Sequence, residues 1–177
     1  MKAIFILLFI FIFVGCKTGE EKVMSGKKRS HPSHEYTYVD IDTLKLKYFE
    51  TDYLPVYSDI YHQDGTKRFP ITATVSIRNT SLTDSAYIQS ATYHDSFGKL
   101  LRTYLDSTLL LLPMESVEFV VEEGEKAGGA GANFIIEWAA TNYCNQILIQ
   151  SIMIGTYGQQ GISFLTEAKV IKSTKKE

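Results

Sequence analysis

Cysteine is almost missing from this chain of 177 residues: Cys16 and Cys144 are the only two. No disulfide framework is expected, because a lipidated Cys16 leaves Cys144 without a partner in the chain. Tryptophan occurs once and proline four times. No apolar run is longer than the twelve residues 3–14. A helix that crosses a bilayer needs about 20. An amphipathic helix of ordinary length is missing too. Positive charge is scarce in the body, with 9 basic against 16 acidic residues between Tyr36 and Ile171, a net of about −7. That balance excludes nucleic acid as a partner, since neutralising phosphates takes a basic face.

Signatures of chemistry are lacking as well. His31-Pro32-Ser33-His34 holds two imidazoles in a polar stretch with nothing to fix their geometry, and a zinc site needs three or four converging ligands. The acidic string Glu115, Glu118, Glu122, Glu123 and Glu125 reads as the solvated face of a strand rather than a calcium cage. Gly128-Gly129-Ala130-Gly131 lacks the following Lys-Ser/Thr and helix of a phosphate loop. His94, Asp95 and Ser96 are contiguous, and neighbouring strand residues point to opposite faces, so they read as turn residues and not as a triad. No cofactor, metal or catalytic residue is assigned. The alternative is an envelope hydrolase that uses His62, His94 or Asp95.

What the chain does have is an address. Lys2 precedes the apolar run, and Phe13-Val14-Gly15-Cys16 ends it. After Cys16 the chain turns polar at once. The run suits the core of a secretory signal peptide, and a small residue directly before Cys resembles the bacterial lipoprotein processing site. Residues 1–15 are therefore expected to be removed and Cys16 to carry the lipid. Each buried methylene of that lipid adds about 0.8 kcal/mol, so several acyl chains hold the protein at a membrane. Lys17, standing where Asp would favour retention at the inner membrane, points to the outer membrane. Residues 16–35 are nearly free of apolar side chains and form a flexible tether.

The body reads as strands. Ile71, Ala73, Val75 and Ile77 alternate with polar residues; so do Val117, Phe119 and Val121; Phe134, Ile136 and Trp138 keep the same period. Further candidates are Tyr53 to Tyr61, Tyr87 to His94 with Leu100 to Tyr104, Leu109 to Leu112, Ile147 to Ile154, and a last strand from Ile162. Turn signals separate them at Asp64-Gly65, Asn79-Thr80-Ser81, Ser96-Phe97-Gly98, Pro113-Met114 and residues 128–131. Short strands at this spacing predict an all-β, immunoglobulin-like antiparallel β-sandwich over residues 36–171, with Trp138 buried between the sheets and a basic tail at 172–177.

Three blocks carry a family resemblance: Leu54-Pro55-Val56-Tyr57-Ser58 with Tyr61, Ser76-Ile77-Arg78-Asn79, and Glu118-Phe119-Val120-Val121-Glu122. It continues through residues 128–134, Glu137-Trp138, and Ile154-Gly155-Thr156 leading to Gln160-Gly161-Ile162-Ser163-Phe164. Over residues 53–171 the body resembles the bacterial family called domain of unknown function 3124. The resemblance implies an exported or lipid-anchored protein and brings no catalytic residues. A binding or scaffold module of the cell envelope is the expected role, with an envelope protein or a polar ligand as partner beside the membrane that holds the anchor. The expected contact loops are Gly128, Gly129, Gly131 and Asn133, together with Tyr157, Gln159 and Gln160, which combine permissive backbone with amide and aromatic groups.

Cys16→Ser should abolish lipid attachment and leave the protein either uncleaved or in the soluble fraction. Fractionation with metabolic lipid labelling checks this. A processed variant that stays membrane-bound as before would refute the anchor.

Overall fold

Strand β10 (Asn133–Ala140) organises the larger of two packed sheets, because it is paired on both sides. The structure is a computed structural model that describes residues 36–40, 45–143 and 147–176. Cys16, Lys17 and Cys144, and with them the signal peptide and the tether to residue 35, lie outside the described residues. The described residues contain thirteen strands and no helix. In chain order they are β1 (Thr37–Tyr38), β2 (Tyr48–Pro55), β3 (Asp59–His62), β4 (Lys67–Pro70), β5 (Thr72–Asn79), β6 (Ala86–His94) and β7 (Leu100–Leu105). There follow β8 (Leu109–Leu111), β9 (Ser116–Val121), β10, β11 (Ile147–Tyr157), β12 (Gln160–Glu167) and β13 (Lys169–Lys175).

The fold is all-β and built as an immunoglobulin-like sandwich. One layer is a seven-stranded sheet in the order β1-β8-β6-β10-β2-β13, with β7 also on β6. The other is a four-stranded sheet, β12-β11-β5-β9. A two-stranded ribbon, β3-β4, stands apart at one end. All the sheet pairings are antiparallel.

The period-two pattern decides which side chains meet between the layers. Ile71, Ala73, Val75 and Ile77 are all fully buried, and so are Phe134 and Ile136 opposite them in the same core. Trp138 is 2% exposed. Slipping any of these strands by one residue would turn its apolar set to solvent, so burial fixes the register. Aromatic rings fill the core towards one end. Tyr93 and Tyr104 each lie 5.1 Å from Phe134, and Tyr104 lies 5.5 Å from Phe119. Such pairs contribute about 0.5–1.5 kcal/mol each beyond their burial.

Two sequence expectations need correcting. Residues 172–175 of the expected tail belong to β13: Lys172, Ser173, Thr174 and Lys175 pair with Thr51, Glu50, Phe49 and Tyr48. This strand is exposed along its whole length. It therefore needs no apolar alternation, only main-chain pairing, and its lysines hide it from a pattern search. The candidate strand from Tyr53 to Tyr61 is two strands. Val56 carries the inward alternation of β2 one step further, its N–H bonding the Ala132 carbonyl at 2.9 Å, and by Ser58 the chain has turned away, its carbonyl accepting from Ile71 N–H.

The register of β2 on β10 has a further consequence. Directly opposed antiparallel residues share a face, and Ile136 opposes Asp52 while Trp138 opposes Glu50. Two carboxyl groups are thus carried on the inner face of β2. The Trp138 indole N–H donates to Asp52 Oδ2 at 2.9 Å and to Glu50 Oε1 at 3.2 Å. The Tyr48 hydroxyl donates to Glu50. Burial raises the Asp52 pKa to about 6, with the neighbouring Glu50 charge adding to it and the Trp138 hydrogen bond opposing it.

The sign of the resulting pH dependence follows. A carboxyl whose folded pKa lies above its ordinary value binds its proton more tightly in the native state. Its contribution is most favourable below about pH 4 and is lost as pH rises towards 6 and beyond. Asp52→Asn keeps an acceptor for Trp138 and removes the charge. The variant should be more stable than the parent by on the order of 2 kcal/mol at pH 7, with the gap closing by pH 4. Thermal melts of both proteins across that range check it, and a gap that does not change with pH would overturn it.

Candidate functional site

Three turns converge at one end of the sandwich, and β10 brings them there. Asn133, its first residue, opposes both Pro55 at the end of β2 and His94 at the end of β6. The glycine-rich segment before Asn133 must therefore lie between the β2–β3 and β6–β7 turns. It is tied to both. Gly129 N–H donates to Ser58 Oγ at 2.8 Å, and Gly131 N–H donates to Ser96 Oγ at 2.9 Å. The Gly128 carbonyl accepts from Ser96 Oγ and from Ser96 N–H, each at 3.0 Å. Ser58 also accepts at its carbonyl from Ile71 N–H at 3.0 Å, which joins the clamp to the start of β5.

Gly128 and Gly129 are consequently buried, as is Asn133, while Gly131 is exposed. At Gly128 the backbone approaches the Tyr93 ring so closely that a Cβ would sit 1.8 Å from the Tyr93 hydroxyl oxygen. Gly129 has a φ of +81°, in the left-handed region that favours glycine. The loop expected as a contact surface is tied at Gly129 and Gly131 to the two flanking turns, and Gly128 and Gly129 serve close approach. The Tyr93 hydroxyl is buried beside Ser58; burial pushes its pKa up to about 12, against the opposing effect of the Ser58 hydroxyl.

The second expected loop is a tight hairpin at the same end. Tyr157 closes β11, Gly158 turns with a φ of +61°, and Gln160 opens β12 opposite Tyr157. Gln159 and Gln160 are exposed. Beside this hairpin stands the β3–β4 ribbon. Arg68 fixes the ribbon by donating from Nε to Asp59 Oδ1 at 2.8 Å and stacking its guanidinium 4.4 Å above the Tyr61 ring. Phe69 packs on β11 at Gly155, where a Cβ would come within 2.5 Å of the Phe69 ring. Between ribbon and hairpin lies a groove of about 200 Å³ lined by Ile60, His62, Phe69, Gln160, Gly161 and Ile162. A shallower depression of about 350 Å³ lies on the other side of the hairpin and shares Gly161 and Ile162 with the groove.

Among the expected contact residues whose side chains are described, only Gln160 lines the groove. Ile60, Phe69 and Ile162 carry no local signature of a site; a hairpin inferred at Asp64-Gly65 between two short strands would have exposed the ribbon. His94 and Asp95 serve their own turn. His94 Nε2 lies 3.0 Å from Thr92 Oγ1, and Asp95 Oδ1 accepts from the Phe97 and Lys99 N–H groups at 2.8 and 2.9 Å. His62 stands on the ribbon, edge-on to Phe69. Among the described residues no group of three or more His, Cys, Asp or Glu is placed to hold a metal ion.

The fold places this protein in the class of all-β sandwiches. Its family model is described as "Protein of unknown function (DUF3124)" and matches residues 49–171, so the chain belongs to that family. No curated protein matches the chain. Among solved structures it is similar to the crystal structure of Thermotoga maritima 1070, at 12% identity and a TM-score of 0.42, over 68% of this chain and 92% of that one.

The clamp makes a double-variant test possible. Gly128→Ala forces a methyl group against the Tyr93 hydroxyl and should cost on the order of 1–3 kcal/mol. Tyr93→Phe removes the buried hydroxyl that the new methyl group would strike, and its own cost should be no more than about 1 kcal/mol. Denaturant unfolding should show that Gly128→Ala costs less in the Tyr93→Phe background than in the parent. Equal costs in both backgrounds would mean that the two groups do not meet.

Proposed function

We propose that this protein is a lipid-anchored binding module of the cell envelope, carried at the outer membrane by Cys16, with its contact surface at the groove between the β3–β4 ribbon and the β11–β12 hairpin. The observation that carries the proposal is the groove itself. Ile60, Phe69 and Ile162 give it an apolar lining, and the Gln160 amide and the His62 imidazole add polar groups. Pockets that combine apolar walls with a few polar groups are the usual form of a recognition site. Such a groove suits an exposed apolar side chain of an envelope protein, with hydrogen bonding to the neighbouring amide. Its walls are held before any partner arrives, by the Arg68–Asp59 pair and by Phe69 against Gly155. Preformed walls lower the ordering cost of binding.

The test is photo-crosslinking in the native envelope with the full-length lipidated protein. A photoreactive residue at Gln160 should capture a discrete partner. The same residue at Leu82, exposed in the β5–β6 turn at the opposite end, should not. Gly161→Leu fills the groove without backbone strain, since a Cβ there meets nothing closer than 3.9 Å. It should reduce the Gln160 adduct at least tenfold and leave the melting temperature within a few degrees of the parent. An undiminished adduct would show that the groove is not the contact surface.

A further inference from the structure

Lysine is unevenly placed on this acidic body. Between Tyr36 and Ile171 there are 9 basic against 16 acidic residues. Yet the outer face of the seven-stranded sheet is basic along its β13 margin. Asp52 and Leu54 are buried, so Phe49, Thr51 and Tyr53 of β2 lie on the outer face. Lys169 opposes Tyr53 and Lys172 opposes Thr51, and opposed residues share a face. The Lys176 ammonium sits 4.3 Å above the Phe49 ring. Lys47, two residues before Phe49, follows the same period. All four lysines are exposed.

A bulge makes the alignment. Lys169 and Lys172 are three residues apart, and in a regular strand an odd separation sends side chains to opposite faces. The register shift between Val170 and Lys172 skips Ile171 and restores Lys172 to the face of Lys169. Lysine on a margin strand discourages pairing with another strand, but that protection needs no common face. Lys175, opposite Tyr48, turns the other way, with its ammonium 5.4 Å from the Tyr143 ring.

Many of the carboxylates are gathered elsewhere. Glu118, Glu122 and Glu123 lie on and after β9 in the other sheet, and Glu50 and Asp52 lie on the inner face of β2. Glu137 does share the basic face, two strands in from the margin, and accepts from Ser90 Oγ at 2.9 Å. A depression of about 290 Å³ on this face has Glu137, Lys172 and Lys176 in its lining, with Thr51 and Thr174.

We infer that this basic face rests on an anionic lipid surface, with Lys47, Lys169, Lys172 and Lys176 against the headgroup phosphates. Charge complementarity and spacing select the occupant. Positions two residues apart along a strand are about 6.8 Å apart, so the ammonium groups of β13 and Lys176 are strung over about 20 Å. A small anion meets one or two of them, whereas a flat array of headgroups meets them all. Salt limits the attraction to about 8 Å. The carboxylates of the other sheet, about 10 Å further off, therefore oppose it little. Basic residues next to a membrane surface add to its binding one by one. The inference rests on the proposed anchor at Cys16, which would keep the body beside such a surface, and does not involve the groove.

The test uses full-length lipidated protein in vesicles of phosphatidylcholine alone and of phosphatidylcholine mixed equally with phosphatidylglycerol. Amine acetylation, read residue by residue by mass spectrometry, reports which lysines are covered. Lys169 and Lys172 should react roughly fivefold more slowly in the anionic vesicles, and salt at about 0.5 M should remove the difference. Lys67 on the ribbon and Lys126 after β9 should react alike in both. With Lys169→Glu and Lys172→Glu combined, Lys47 and Lys176 should lose their protection. The melting temperature should stay within a few degrees of the parent, since both replaced positions are exposed. The inference fails if the lysines of this face react alike in both lipids, or if Lys67 and Lys126 are slowed as much. It also fails if protection appears in native envelopes but not in anionic vesicles, which would assign the face to another protein. A chain that does not stay with the vesicles overturns the anchor and this inference together. One that stays but is labelled evenly overturns this inference alone.

Discussion

The structure depends on the two-sided register of β10. That strand has Phe134, Ile136 and Trp138 on its inner face and pairs with β2 on one side and β6 on the other. Hydrophobic burial locks the register, because a shift by one residue would expose all three large side chains at once. The same register sets two features of unlike character. It carries Glu50 and Asp52 into the interior beside the Trp138 indole. It also sets Asn133 against Pro55 and His94, so that the preceding glycines are drawn between two turns and clamped there by Ser58 and Ser96.

The clamp and the groove divide the work at that end of the molecule. Glycine at 128 and 129 allows backbone to pass against Tyr93 and Ser96, and the reward is a rigid corner. The ribbon is supported separately, by Asp59 with Arg68 and by the seat for Phe69 at Gly155. The walls of the groove are held by main-chain pairing within the ribbon and by one ion pair that is only partly exposed.

The two polar features inside or beside the core have different standing. Asn79 is buried but satisfied: its Nδ2 donates to the Asp84 carbonyl at 2.8 Å and to the Leu112 carbonyl at 3.0 Å, and its Oδ1 accepts from Ser81 N–H at 3.0 Å. It holds the far turn to the end of β8. Asp52 is satisfied by the indole, but burial first and the neighbouring Glu50 charge second make it costly when ionised. Groups of this kind mark where a fold trades stability for position.

Much of the architecture was legible in the residues. Alternation at 71–77, at 117–121 and at 134–138 identified strands and their inner faces, because period two has one geometric meaning. The acidic balance of the body was likewise readable, since charge is counted directly from the residues. The glycines at 128–131 were visible as a loop, but not as a buried clamp, because their partners Ser58 and Ser96 are distant in sequence. Strand β13 was hidden, because an exposed margin strand has no buried face to reveal it. The groove was hidden for a related reason: Phe69 and Ile162 are unremarkable apolar residues until the ribbon and the hairpin are brought together. The sequence by itself determined what each segment could bury. Only the tertiary structure decided which segments meet, because pairing partners are chosen by the joint burial of faces and not by any one of them.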